Sequence, residues 1–270
     1  IFYLTAKTVT GGVAKEAFAK MREKGLLFKT VSLTAKEKIC FMEKAVCKPE
    51  KCEYAKGHFD RVNEAIMDIL TNENEIKREV IEQYAMTHKV CPFEFALDLT
   101  LWADAIICDY NYVFDPKVYL KRFFSDTGGD YVFLVDEAHN LVDRAREMFS
   151  AQLSKKSFLM LKKAMKDESP KISKTLQKLN SFMLNMKKLC GDNDYFVSKE
   201  EQSDIYLILR KLIGECEEYL VDSAKKGAEN EDLLQLYYDA LMYIKISEFY
   251  DDRYVTFVEK SDNDVKIKLF

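Results

Sequence analysis

The stretch YVFLVDEAHNL, residues 131–141, joins a continuous apolar, β-prone run to two adjacent acids and a histidine. Strands buried on both faces of a parallel sheet read as near-continuous apolar runs, and open α/β sheets bind ligands beyond the carboxyl ends of their strands. Residues 131–135 therefore predict a buried parallel strand that carries Asp136, Glu137 and His139 to a binding edge. In nucleotide hydrolysis the first acid at such an edge holds Mg²⁺, and the next carboxylate orients or deprotonates the attacking water. Asp136 is thus the candidate metal and cofactor-binding residue and Glu137 the candidate base, with an ordinary acidic turn as the competing reading. The phosphate-cradling pattern G-x-x-x-x-G-K-[ST] does not occur in the 270 residues. A phosphate loop is therefore expected upstream of Ile1, and the chain alone is not expected to hydrolyse ATP.

Outward from this stretch the same sheet is traceable in both directions. Residues 1–5 read as a strand, 15–24 as a helix stopped by Gly25, and 27–33 as a second strand, which is a βαβ unit and hence parallel. Residues 105–108 form another short apolar run ending in an acid, Asp109. Between them lies a charged segment with helical spacing over 59–70 and 76–86, expected to be an insertion. After residue 150 about one hundred residues read as helix, broken at Ser169-Pro170, at 191–194 and at Gly227. Ser198 with Glu201 three residues on predicts a capping box. Residues 254–258 and 265–269 flank Ser-Asp-Asn-Asp and predict a β-hairpin. The start without Met and the strand-like end predict a piece of a longer protein.

Composition sets the limits. At 48% hydrophobic and 13% aromatic residues the chain can bury a proper core. Lys and Arg total 41 against 45 Asp and Glu, a formal net charge of −4, which excludes a polybasic coat and confines any nucleic-acid contact to a local patch. No run of 18 apolar residues and no signal peptide are present, so no membrane partner and a cytoplasmic location are expected. In the corresponding reducing environment, seven cysteines favour metal ligation or buried thiols over disulfides.

Cys40, Cys47, Cys52 and Cys91, the last followed by Pro92, all fall in the first insertion and fit either a four-thiolate zinc site or a four-iron cluster. Four unrelated buried thiols are the plain alternative. Cys108, Cys190 and Cys216 lie in predicted strand or helix and read as core thiols. His58 and His88 could replace a thiolate in a zinc site, but fit better as surface or supporting residues. The second insertion is asymmetric in charge. Lys155, Lys156, Lys162, Lys163, Lys166, Lys171, Lys174, Lys178, Lys187 and Lys188 face only Asp167 and Glu168 between 154 and 188. Such lysines either solvate a helix or track phosphates without reading sequence. Phe158 and Phe182 sit at core-like helical positions.

Asp-Glu-Ala-His after an apolar strand, a preceding four-cysteine insertion ending Cys-Pro-Phe-Glu, CDYNYVFDP between them and a helical insertion afterwards together resemble the XPD/DinG family of iron–sulfur superfamily two DNA helicases, in its bacterial Rad-three-related branch. The resemblance implies an α/β fold, a partial RecA-like parallel sheet with an iron–sulfur insertion and a mainly helical Arch insertion. It assigns 1–33 and 101–148 to the first motor domain, 34–100 to the iron–sulfur domain, 149–252 to the Arch and 253–270 to a return to the motor domain. It implies that Cys40, Cys47, Cys52 and Cys91 ligate a 4Fe-4S cluster and that Asp136, Glu137 and His139 form helicase motif II, with Mg²⁺ and ATP as cofactors. His139 would link the nucleotide site to neighbouring motifs. Lys7 and Thr8 occupy the place of motif Ia, which touches the DNA backbone, and Lys155, Lys156, Lys162 and Lys163 are the candidate phosphate-tracking lysines. The implied function is 5′-to-3′ translocation on single-stranded or forked DNA by a monomer, in repair or replication. The rival reading is a non-enzymatic, zinc-binding interaction module.

Overall fold

The computed structural model describes residues 1–6, 11–43, 46–124, 129–225 and 230–270, and the chain divides into two units, Ile1–Ala145 and Arg146–Phe270. The first is built on a five-stranded, wholly parallel sheet of order β3-β2-β4-β1-β5, in which β1 is Phe2–Thr5, β2 Thr30–Ser32, β3 Glu75–Ile76, β4 Ala105–Asp109 and β5 Phe133–Val135. The first helix, α1 (Gly11–Glu23), buries Ala14 and Phe18 against Ala105 and Ile107 of β4, the βαβ packing expected from the sequence. It stops where Gly25 takes φ +95°, a conformation costly for any residue with a Cβ.

The insertion contains α2 (Lys36–Ile39), α3 (His58–Asn72), α4 (Arg78–His88) and α5 (Pro92–Leu99). The last three share one core, with Val62, Ile69, Ile81, Ala85, Phe95 and Leu99 packed around Val31 of β2 and Ile76 of β3. Ile76 corrects the expected helix over 76–86: it pairs in parallel with Val31, and the helix begins only at Arg78. A two-residue strand is too short to show its period against the helix that follows. Lys29 ties the insertion to the sheet, since its Nζ donates to the carbonyls of Leu70 (2.6 Å) and Glu73 (2.9 Å) at the C-terminal end of α3. There a cation also complements the helix dipole.

Beyond β4 come α6 (Asn111–Phe114), α7 (Lys121–Phe124), β5 and α8 (Leu141–Met148). The strand after α7 is shorter and more open than expected. Tyr131 and Val132 stay outside it, and Phe133 and Leu134 are 42% and 44% exposed. Among the described residues β5 pairs only with β1, so it is an edge strand; an apolar run cannot by itself distinguish an edge from a centre.

The second unit packs α9 (Lys155–Glu168), α10 (Pro170–Leu189), α11 (Asp204–Lys225) and α12 (Glu231–Ser247) with a four-stranded antiparallel sheet of order β6-β9-β8-β7. Its strands are β6 (Ala151–Ser154), β7 (Tyr195–Ser198), β8 (Thr256–Lys260) and β9 (Val265–Leu269). The β8–β9 hairpin forms as predicted, but it does not return to the parallel sheet: β9 pairs with β6 and β8 with β7. It therefore belongs with the helices. The capping box at Ser198 and Glu201 is also absent. Ser198 closes β7 opposite Thr256, its Oγ accepts from the Glu200 amide at 2.9 Å, and α11 begins at Asp204. Ladder pairing took the residue that a helix start would have used. Phe158 is fully buried in one continuous core with Leu176, Leu209 and Tyr243, and the partly buried Phe182 packs against that core, as their spacing predicted.

Candidate functional site

Parallel strands place Thr5, Asp109 and Asp136 together at the carboxyl edge of the first sheet, because β4 and β5 flank β1 in register. The Asp136 amide extends the ladder by donating to the Leu4 carbonyl at 2.9 Å. The chain then turns sharply. Glu137 adopts the left-handed conformation, φ +51° and ψ +45°, before a 3-10 turn over Ala138–Asn140 leads into α8. The side chains of Glu137 and His139 are open to solvent and lie 3.2 Å apart, Oε2 to Nδ1.

Two tyrosines hold this turn. Tyr110, fully buried, donates its hydroxyl to the carbonyls of both Asp136 and Glu137, the latter at 3.1 Å. Tyr3 donates to the Asp136 carboxylate, and burial, followed by that carboxylate, pushes its phenol above its ordinary value. Both therefore remain neutral donors. Arg144 of α8 reaches back to Asp109 (3.3 Å) and to the Asn111 side chain (2.9 Å), fixing α8 to the same edge. Asp136, Glu137 and His139 are thus brought together, with oxygen donors suited to a hard divalent cation. In the sequence analysis no role falls to Tyr110, Tyr3 or Arg144. The signal for Tyr3 is its position in the strand beside the one that ends in Asp136.

The four candidate ligand cysteines, Cys40, Cys47, Cys52 and Cys91, all line one cavity of about 330 Å³ together with Lys36, His58 and Glu94. Among the described residues no three cysteine, histidine or acidic side chains converge closely enough to hold a metal ion as they stand. The donor set nevertheless fits a thiolate-held centre. Cys91 is the N-cap of α5, where the backbone amides of Glu94 and Phe93 favour its thiolate, while burial pushes the thiol the other way and prevails. Lys36 donates to the Cys47 sulfur, which holds the lysine above its ordinary pKa. The helix start also brings in His58, 3% exposed, whose Nδ1 accepts from the Cys91 amide at 3.2 Å. Its Nε2 is buried without a hydrogen-bond partner. Burial pushes the His58 pKa below 6.5, with Asp98 and Glu94 opposing, so the ring is neutral. His88 is not among the lining residues and pairs instead with Asp68 at 2.8 Å.

Cys108, Cys190 and Cys216 are buried away from this cavity, as read from the sequence. Lys7 and Thr8 lie outside the described residues. Lys155, Lys156, Lys162 and Lys163 all fall on α9; Lys156 and Lys163 are exposed, Lys155 and Lys162 are half-buried, and the Lys162 ammonium bonds to Gln177 of α10. Among the described residues no helix is long and apolar enough to cross a membrane.

Comparison with known proteins places this geometry in a family. The DEAD_2 family model matches residues 22–158. The Fanconi anemia group J protein homolog of Gallus gallus is 39% identical over 62 residues, 23% of this chain and 5% of that protein. The regulator of telomere elongation helicase 1 homolog of Drosophila erecta is 29% identical over 142 residues, 52% of this chain and 13% of that protein. This chain therefore spans a small part of the length of these relatives. A solved XPD helicase structure superimposes with a TM-score of 0.56 at 18% identity, covering 99% of this chain and 46% of that one, which shows a shared fold. With the family model spanning half of the chain and the parallel sheet beneath it, the chain belongs to the DEAD_2 family of XPD/DinG-like superfamily two helicases.

Proposed function

We propose that the chain supplies the hydrolytic edge and the DNA-engaging insertions of an ATP-dependent DNA helicase that moves 5′ to 3′ along single-stranded DNA at repair or replication forks. The observation that carries this reading is the delivery of Asp136 and Glu137 by β5 to the carboxyl edge of a parallel sheet, with Tyr3 and Tyr110 holding the turn. Asp136 would hold the Mg²⁺, which when bound screens the phosphate charge. Glu137, left open beside it, would accept the proton of the attacking water, and His139, 3.2 Å from Glu137, would relay the state of this site to neighbouring segments.

In this reading the five-stranded sheet and its edge form part of the first motor domain, the segment with α2 to α5 is the iron–sulfur domain, and the helical second unit, including its hairpin, is the Arch. Cys40, Cys47, Cys52 and Cys91 would hold a 4Fe-4S cluster, supported by their shared cavity. The cluster would serve as a structural brace, because ligation free energy is also folding free energy. Lys7, Thr8 and the lysines of α9 would contact DNA phosphates. The full-length protein carrying Glu137→Gln tests the proposal: ATP binding is expected to persist while DNA-stimulated turnover is lost. Wild-type turnover in that variant would remove Glu137 from the chemistry. Stoichiometric zinc without iron in anaerobically purified protein would favour the non-enzymatic rival.

A further inference from the structure

His58 faces the cysteine cavity with one ring nitrogen engaged and the other idle. The engaged one fixes the tautomer. Because Nδ1 accepts the Cys91 amide proton at 3.2 Å, it carries no hydrogen itself, and the single proton of the neutral ring sits on Nε2. Nε2–H is therefore a buried donor without an acceptor among its neighbours. Such a group is costly unless the site supplies an acceptor when loaded.

The same hydrogen bond decides what His58 can offer. A metal-bound Nε2 needs its lone pair, which would move the proton to Nδ1 and set it against the Cys91 N–H. Ligation and the Cys91 contact exclude each other, whereas donation through Nε2 preserves the contact. The oxygen acceptors of Glu94 and Tyr54 also line this cavity, but neither bonds Nε2. The acceptors that a loaded site would add are sulfur atoms, either cysteine thiolate or the inorganic sulfide of a cluster. We infer that His58 is a positioning residue of the cluster site, anchored by the Cys91 backbone and donating Nε2–H to a cluster or thiolate sulfur. The inference rests on the iron–sulfur reading of the four cysteines. A donor to sulfur stabilises the more negative, reduced state and so raises the reduction potential. It also couples the start of α3 to Cys91, thirty-three residues on.

The test uses anaerobically purified full-length protein as wild type, His58→Phe and His58→Gln, with iron and sulfide content, a dye-mediated redox titration and electron paramagnetic resonance of the reduced cluster. His58→Phe is expected to bind iron as the wild type does but to show a lower reduction potential and a shifted resonance. His58→Gln, which keeps an N–H donor at comparable reach, should recover most of both. Equal potentials in wild type and His58→Phe at equal iron content would overturn the assignment while leaving the cluster in place. If His58→Phe loses the cluster, wild-type protein labelled with ¹⁵N-histidine decides by pulsed resonance. A weak coupling to one histidine nitrogen supports donation, whereas no coupling, or the large coupling of a direct ligand, overturns it. Stoichiometric zinc in the wild type would overturn the cluster and this inference together.

Discussion

The cavity cysteines of the first unit and the cysteines of the second unit meet opposite surroundings, while Cys108 of β4 is buried as the latter are. Around the parallel sheet, Cys40, Cys47, Cys52 and Cys91 border a cavity, where Lys36 donates to Cys47 and the amides at the start of α5 favour the Cys91 thiolate against burial. In the second unit Cys190 and Cys216 are sealed in the continuous core, where burial pushes Cys216 up to about 12. A thiol that meets a cation is prepared to be a thiolate; one sealed in an apolar core is a small hydrophobe.

The largest effect should come from the open edge. Glu137→Gln in the full-length enzyme is expected to lower kcat for ATP by about 10²- to 10⁴-fold with little change in nucleotide affinity, measured by coupled ATPase assay and equilibrium binding. A comparable loss in affinity would mean that the residue binds nucleotide and does not act on water.

Next comes the cavity. Cys91→Ser should remove bound iron and cost the first unit more than about 2 kcal/mol, a fall in Tm of about 4–8 °C. Iron analysis with calorimetry reads both, and retention of iron would break the contrast between the two sets of thiols.

A smaller effect is expected from the second unit's surface. Replacing Lys155, Lys156, Lys162 and Lys163 by Gln should weaken single-stranded DNA binding uniformly across sequences. Each lost phosphate contact should lower the salt slope by about 0.7, read by fluorescence anisotropy. Lys162, already bonded to Gln177, should contribute least. Replacement of Lys225 and Lys245 is the control.

The smallest change is reserved for a core thiol. Cys216→Ala should leave iron content unchanged and cost about 1 kcal/mol. Because folding raises the Cys216 pKa from 9.0 to about 12, the contribution of its neutral thiol is fully present below pH 9 and lost as pH rises through about 12. Alkylation with iodoacetamide at pH 8 should therefore reach Cys216 only after denaturation. Rapid labelling of the folded protein would erase the distinction.

What the sequence disclosed and withheld follows from the range of each signal. The parallel strands, α1 with its Gly25 stop and the β8–β9 hairpin are local patterns of period and turn chemistry, and they stand where the residues put them. Edge or centre for β5, the two-residue β3 and the sheet to which the hairpin belongs depend on partners distant in sequence, for β5 and β9 more than a hundred residues away. The cysteine spacing and the acids after a strand were legible as candidate chemistry. The idle nitrogen of His58 and the reach of Tyr3 to Asp136 were not, because both arise from tertiary contacts that no periodicity encodes.

The left-handed backbone at Glu137 carries a last consequence. A residue with a Cβ pays about 1–2 kcal/mol there, and glycine or asparagine would sit more comfortably. Local folding preference and the proposed role of the carboxylate thus pull in opposite directions at one position. Glu137→Gly should yield a protein at least as stable as the parent and catalytically silent, a stability–activity trade-off confined to a single φ angle. A screen for thermostability alone would be drawn to this residue and would select against the enzyme.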